Sequence, residues 1–213
     1  MSNEGSRSGL DKPGKIVIIS SPSGGGKTTI CKKLLELHKN DGWSFSVSAT
    51  TRPKRPNEVE GREYYFKTES EFKDMEDSGE FAESCHVHGN TYGTPSKPLE
   101  RILREGGALL LDIDYKGAKK IKAKYPQAIS IFVFPPSRDE LERRLRERGT
   151  ESEDSLSVRF RGSVEEMKHG IEFENYVINE NLEKAIAEVD EIIKNPDTHK
   201  SDSSRERIRA IIG

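Results

Sequence analysis

The apolar run Ile16-Val17-Ile18-Ile19 leads directly into Ser20-Ser21-Pro22-Ser23-Gly24-Gly25-Gly26-Lys27-Thr28. A buried strand that delivers a triple-glycine turn, ends it in Lys-Thr and then opens a helix is the arrangement a nucleoside triphosphate needs. Gly24, Gly25 and Gly26 let the backbone curl so that successive N–H groups point at phosphate oxygens. The helix that follows offers its positive end to the same anion. Lys27 reaches the outer phosphates, and the Thr28 hydroxyl is a ligand for Mg²⁺. The general pattern has glycine where this chain has Ser21, followed by Pro22. The competing reading is an ordinary strand–turn–helix junction that binds nothing.

A length of 213 residues suits one domain with small insertions and is enough to bury a core. With 35 basic and 37 acidic side chains the formal net charge is −2, which argues against bulk binding to nucleic acid or to a membrane surface. Any cationic site is therefore local. Cys31 and Cys85 are too few for a disulfide framework and lack metal-ligand spacing. Cys31, in the helix after the loop, is expected as a small core residue. No apolar run approaches the ~18 residues of a membrane span. Residues 1–14, rich in Ser, Gly and charge, have no apolar signal core and are expected as a flexible tail of a cytoplasmic protein.

Strand and helix patterns then alternate. Continuous apolar runs at 16–19, 109–113 and 129–134, with a short one at 176–178, suit strands covered on both faces. Helices are expected over 28–39, with Ile30, Leu34 and Leu37 inward, over 138–148 behind a Ser137/Glu140 capping box, and over 153–173. Two more are expected, over 182–194, with Leu182, Ile186, Val189 and Ile193 inward, and over 204–212. The fold class is α/β, a parallel sheet with helices on both faces and right-handed crossovers. From 43 to 95 the rhythm breaks into aromatic, polar, glycine-punctuated segments around one helix at 69–77, capped by Thr68 and Glu71. This reads as a small mixed sheet inserted into the core, a common place for a second substrate. His86 and His88 near Cys85 read as surface decoration, with no metal assigned.

The ordered set of motifs resembles the guanylate kinase family. It comprises the glycine-rich loop, Ser48-Ala49-Thr50-Thr51-Arg52-Pro53-Lys54-Arg55 with Glu58 and Gly61, Tyr64 and Phe66, and Gly79-Glu80-Phe81 with Glu83. It continues with Gly89-Asn90, Tyr92-Gly93-Thr94, Leu111-Asp112-Ile113-Asp114, Pro135-Pro136-Ser137, Arg148-Gly149-Thr150-Glu151 and Val177-Ile178-Asn179. Together these span about 15–195, nearly the whole chain after the tail. Lys116, where the family pattern suggests Gln, is a departure, as is Ser21.

The resemblance implies a domain at 15–195, with core segments 15–42, 96–136 and 170–195, a GMP-binding insertion at 43–95 and a helical lid at 137–169. A C-terminal helical extension follows at 196–213. It implies phosphorylation of GMP, and of dGMP, by ATP with Mg²⁺. ATP is assigned to Ser21, Pro22, Ser23, Gly24, Gly25, Gly26, Lys27, Thr28 and Thr29, with Asn179 on the adenine side. Arg52, Arg55 and the hydroxyls of Tyr64 and Tyr92 are assigned to the GMP phosphate, for which guanidinium forks are well shaped. Glu83 is assigned to the guanine N1–H and 2-amino edge, helped by Ser48 and Thr94. Lys27, Arg144, Arg148 and Arg159 are assigned to transition-state charge, the three arginines closing as a lid.

Asp112 and Asp114, spaced to share one face of a strand end, need something positive opposite: Mg²⁺, arginine or the guanine edge. The resemblance puts Asp112 near Mg²⁺ and its waters, and Asp114 nearer GMP. Each assignment has an alternative. Arg52 to Arg55 could be a solvated basic loop, and Arg144 and Arg148 a surface face neutralised by Glu140, Glu142 and Glu147. A peptide-binding module of the same shape is the rival from another class, but such modules usually lack the loop lysine and lid arginines retained here. A kinase for another nucleoside monophosphate is the nearer rival. The expected partners are small molecules, with neither nucleic acid nor membrane, and the expected state is monomer or homodimer.

Overall fold

The computed structural model describes residues 13–87, 89–147, 153–196 and 205–213. In chain order the elements are β1 (Lys15–Ser20), α1 (Lys27–Leu37), β2 (Trp43–Phe45), β3 (Ser48–Thr50), β4 (Tyr64–Phe66), α2 (Glu69–Asp77), β5 (Phe81–Val87) and β6 (Asn90–Pro95). Next come α3 (Ser96–Glu105), β7 (Ala108–Asp112), α4 (Tyr115–Lys124), β8 (Ile129–Phe134) and α5 (Arg138–Glu147). The chain closes with α6 (Glu153–Gly170), β9 (Asn175–Ile178), α7 (Leu182–Lys194) and α8 (Arg205–Ile212). The strands form a five-stranded sheet in the order β2-β7-β1-β8-β9 and a four-stranded sheet in the order β4-β3-β6-β5. This is the expected α/β fold with a separate small mixed sheet. Among the described residues no helix is long and apolar enough to cross a membrane.

Contacts gather the chain into two compact units, one formed by the chain up to Ile16 with His38–Leu111, the other by Val17–Leu37 with Asp112–Gly213. In the second unit, β1 pairs with β8 and β8 with β9, all parallel. β8 is buried along its whole length, which is why its sequence is an unbroken apolar run. Ile30, Cys31 and Leu34 form the buried stripe of α1. Burial pushes the Cys31 thiol well above its usual range. Two expectations fail at helix ends: Leu37 is 59% exposed and Leu182 36%. Each lies on the correct face but a turn beyond the core its helix covers, and the stripe of α7 is instead Ala185, Val189, Ile192 and Ile193.

In the first unit, β2 pairs parallel with β7, so Trp43–Phe45 belongs to the five-stranded sheet and not to the inserted one. β3 pairs parallel with β4 and antiparallel with β6, and β6 runs antiparallel to β5. Because side chains alternate across a sheet and paired residues share a face, the register sorts this sheet completely. Ser48, Thr50, Tyr64, Phe66, Tyr92, Thr94, Glu83 and Cys85 share one face. Ala49 and Gly93 lie on the other, where Ala49, Phe72, Phe81 and Met75 pack together under α2.

Phe81 and Glu83 are two residues apart and in a regular strand would share a face. A register shift between them breaks the alternation, with Phe81 opposite Pro95 and Glu83 opposite Thr94. The bulge sends Phe81 into the α2 core and Glu83 to the polar face. The capping box expected for α2 is present in both halves: Thr68 accepts from the Glu71 N–H, and the Glu71 carboxylate accepts from the Thr68 N–H.

At Gly93 an added Cβ would lie 2.8 Å from Phe81 and 3.0 Å from Phe72, inside the aromatic stack. Gly93→Ala is expected to destabilise the protein by roughly 1–3 kcal/mol through overpacking. Thermal denaturation is the check, and an unchanged melting temperature would contradict this account of the sheet.

Candidate functional site

The loop between β1 and α1 is held in shape by glycine. Gly24 and Gly26 have φ of 88° and 95°, a region that L side chains resist. Space excludes a side chain at both positions as well. A Cβ on Gly24 would press on Leu141 and Leu145 at 3.2–3.3 Å, and one on Gly26 would meet Asn179 Nδ2 at 2.4 Å. The replacement of the usual first glycine is accommodated by the second of the triplet. A Cβ on Gly25 would sit 2.7 Å from the Ser21 Cβ, so the absence of one there makes room for the serine. Ser21 is buried and its hydroxyl donates to the Pro22 carbonyl at 3.0 Å, while the Gly25 N–H donates to the same oxygen at 2.9 Å. Thr29 lies in the first turn of α1, its N–H donating to the Gly26 carbonyl at 3.1 Å.

Where α1 begins, the Lys27 ammonium lies 2.9 Å from Asp112 Oδ1, and the Thr28 hydroxyl donates to Asp112 Oδ2 at 2.8 Å. One carboxylate at the C-terminal end of β7 thus holds both side chains. β7 stops at Asp112, so Asp114 does not alternate with it on a strand as expected. Instead Asp114 is the N-cap of α4, its carboxylate accepting from the Gly117 N–H at 2.9 Å.

Asn179 is buried and donates from Nδ2 to the Gly25 carbonyl at 3.0 Å. Its own carbonyl accepts from Arg144 at 2.9 Å. Arg144 also donates to Glu140 at 2.8 Å, and Arg143 binds the same carboxylate. The hydrogen bonds from Arg143 and Arg144 hold the Glu140 carboxyl down at about 2. Ser137 caps α5 through its hydroxyl, which accepts from the Glu140 N–H at 3.1 Å. Arg143 also pairs with Glu147, and Arg146 with Glu142. The salt-laced face weighed from sequence is therefore real for α5, and Arg144 belongs to it while reaching the loop through Asn179. Arg148 lies outside the described residues, as do His88 and residues 149–152.

Arg159 reaches the loop directly, donating to the Ser23 hydroxyl at 3.1 Å. Two residues with no sequence-derived role join it. Ser163 Oγ donates to the Ser23 carbonyl at 3.3 Å, and Glu166 Oε2 accepts from the Ser23 N–H at 3.2 Å. The signal that reveals them is helical spacing from Arg159, with Ser163 and Glu166 following at four and seven residues on one face.

A second constellation lies wholly in the first unit, on the polar face of the four-stranded sheet. Glu83 is buried and accepts at Oε1 from the Thr94 hydroxyl at 2.7 Å. Ser48 is buried on the same face, two residues along β3 from Thr50. Tyr64 and Tyr92 meet edge-on with ring centroids 5.8 Å apart. The Arg52 guanidinium lies over Tyr64 at 5.4 Å and over Phe66 at 5.8 Å. Glu58 anchors this arginine, accepting from it at 2.7 Å and from the backbone N–H of Arg55 at 2.8 Å. Burial raises the Glu58 carboxyl, but the bonds from Arg52 and the Arg55 backbone more than offset this and hold it below its ordinary value.

Ser48, Arg52, Tyr64, Glu83, Tyr92 and Thr94 are thus gathered on one surface, and Arg55 joins them through Glu58. Asp114 caps α4 in the second unit. Among the described residues no group of three or more His, Cys, Asp or Glu side chains gathers as a metal centre would.

The guanylate kinase family model matches residues 13–196. The guanylate kinase of Caldanaerobacter subterraneus subsp. tengcongensis is 42% identical over 184 residues, 86% of this chain and 88% of its own length. That of Rhizobium etli is 44% identical over 186 residues, 87% of this chain and 84% of its own. A crystal structure of guanylate kinase from Anaplasma phagocytophilum matches with a TM-score of 0.74 at 32% identity, over 95% of this chain and 97% of that one. With a glycine-rich loop on one unit, a polar sheet face on the other and these matches over almost its full length, the chain belongs to the guanylate kinase family.

Proposed function

We propose that the chain transfers the γ-phosphoryl group of ATP, held by the loop 21–29, to GMP, held by the polar face of the four-stranded sheet. The observation that carries this reading is buried Glu83, fixed by Thr94 on the same face as the Arg52 seat. A carboxylate accepts side by side from the guanine N1–H and 2-amino groups, whereas adenine opposes it with a ring acceptor. Arg52, Arg55 and the hydroxyls of Tyr64 and Tyr92 take the phosphate. These contacts address base and phosphate and not the 2′ position, so dGMP fits the same groups.

The acceptor is already an anion, so no strong base is required, and the task is to align two anions and offset their repulsion. Lys27 exchanges Asp112 for the outer phosphates. Arg144, Arg148 and Arg159 spread the charge that develops on the transferred group and, gathered around it, exclude water as a competing acceptor. Asn179 orders the loop from the adenine side through the Gly25 carbonyl. Thr28 and Asp112 present a hydroxyl and a carboxylate 2.8 Å apart, a hard-oxygen pair that fits Mg²⁺, which takes few protein ligands beside phosphate and water. These two residues would hold the ion, Asp112 through water. When bound, Mg²⁺ neutralises phosphate charge.

Lys27→Met is expected to lower kcat by about 10²–10³-fold or more, as for loss of a key charge stabiliser. GMP affinity by calorimetry should be unchanged, and wild-type turnover in this variant would overturn the assignment. Glu83→Gln should compress the preference for GMP over AMP, read as the ratio of kcat/KM, by at least ~10-fold, since Gln cannot accept both guanine hydrogens.

Glu58→Gln should raise KM for GMP with little change in KM for ATP. Because the Glu58 pKa is depressed, its contribution is present at neutral pH and lost only as pH falls through the lowered value. The gap in KM for GMP between variant and wild type should therefore stay constant from neutral pH down to the ordinary carboxylate range. A gap that closes above that range would show Glu58 is not the anchor of Arg52.

A further inference from the structure

All three polar groups of Ser23 engage α6. Its N–H donates to Glu166, its carbonyl accepts from Ser163, and its hydroxyl accepts from Arg159, at 3.2, 3.3 and 3.1 Å. The partners fall at 159, 163 and 166 of one helix, so they form a single stripe that turns one face to one loop residue. Ser163 is 2% exposed, which places the contact inside the packed structure. We propose that Ser163 and Glu166 are positioning residues that clamp the tip of the phosphate loop to α6, fixing loop and Arg159 in one register.

The chemistry of the clamp supports this. Glu166 receives a charge-assisted bond from a backbone amide at the entry to the glycine triplet. A carboxylate beside a phosphate seat repels the ligand, so a negative group there is tolerable only where its charge is engaged in holding structure. With Ser23 immobilised on both backbone groups, the N–H groups that follow it are set before ATP arrives, and preorganised donors are what make such sites effective. Arg159, one turn before Ser163 on the same rigid element, cannot move relative to the loop tip without breaking these bonds. The clamp thereby couples ATP binding to the placement of a cation assigned to the transition state.

The inference rests on the reading of the loop as the ATP seat. It is tested by steady-state kinetics of the full chain with ATP and GMP varied separately. Glu166→Ala should raise KM for ATP and lower kcat, for a combined loss of about tenfold or more in kcat/KM for ATP, as expected when a reacting group is misplaced. KM for GMP should remain within about twofold. Glu166→Gln keeps an acceptor oxygen for the Ser23 N–H and should recover most of the loss. Ser163→Ala should shift the same parameters in the same direction by a smaller factor.

The clamp is overturned if Glu166→Gln is as defective as Glu166→Ala, if both variants match wild type, or if KM for both substrates rises in step with a fall in melting temperature. A lower KM for ATP in Glu166→Ala also overturns it, because the carboxylate would then be a stand-in anion that ATP displaces. Should Glu166→Ala fail to fold, the Gln and Ser163→Ala arms decide. Lys27→Met separates the two levels. If it is fully active the loop reading itself fails, whereas an inactive Lys27→Met beside a fully active Glu166→Ala sinks the clamp alone.

Discussion

The carboxylate of Asp112 keeps Lys27 and Thr28 in order where the glycine-rich loop gives way to α1. The side chains of Lys27 and Asp112 are 22% and 13% exposed, too sheltered for the pair to be discounted as a surface ion pair. They are also accessible enough for Lys27 to change partner. The pair stands at the mouth of a loop whose Gly24 and Gly26 have backbone angles few other residues adopt. In the proposed function, a phosphate that approaches the loop displaces one carboxylate oxygen and inherits a cation already in place.

The four-stranded sheet solves a different problem, which is to present a buried negative group without a collapsed core beside it. A four-stranded sheet has two faces, and this one uses the first for chemistry and the second for stability. The bulge between Phe81 and Glu83 keeps the two uses apart. Without it, either the phenyl ring would leave the α2 stack or the carboxylate would enter it. Glu58 performs a comparable service at the arginine end of the face, where a single carboxylate holds the Arg52 fork and the Arg55 backbone. Aromatic rings under the guanidinium add an attraction of about 0.5–1 kcal/mol per ring.

Much of this was legible in the sequence because the signals were local. The loop, the Thr68/Glu71 capping box, the Ser137 cap and the unbroken apolar strands each depend on residues a few positions apart, and those elements fall where the patterns place them. What escaped was set by tertiary neighbours. Nothing in the run Trp43-Ser44-Phe45 says that it pairs with β7 and not with the strands that follow it. Asp114 shares the spacing of a strand residue with Asp112, yet the strand ends between them because the Asp114 carboxylate is better used capping α4. Leu37 and Leu182 carry the correct periodicity, but periodicity does not reveal where the core stops. The partnership of Ser23 with Ser163 and Glu166 joins positions about 140 residues apart. Only the separation of Arg159, Ser163 and Glu166 along one helix was visible beforehand.

Under the proposed function, selectivity for guanine follows from how burial treats a charge. Glu83 is 7% exposed, so its ionised form must be satisfied by partners inside the site. Thr94 supplies one such bond, and guanine brings two donors to the same carboxylate. Adenine brings a lone pair to one of those positions, so the wrong base forfeits a favourable contact and adds a repulsive one. A buried polar group left badly paired costs more than the contact itself is worth, because its desolvation is not refunded. In that proposal the asymmetry lets a small set of residues on one sheet face separate two purines of nearly equal size, with Glu83 in the packed sheet and Arg144 and Arg159 on helices.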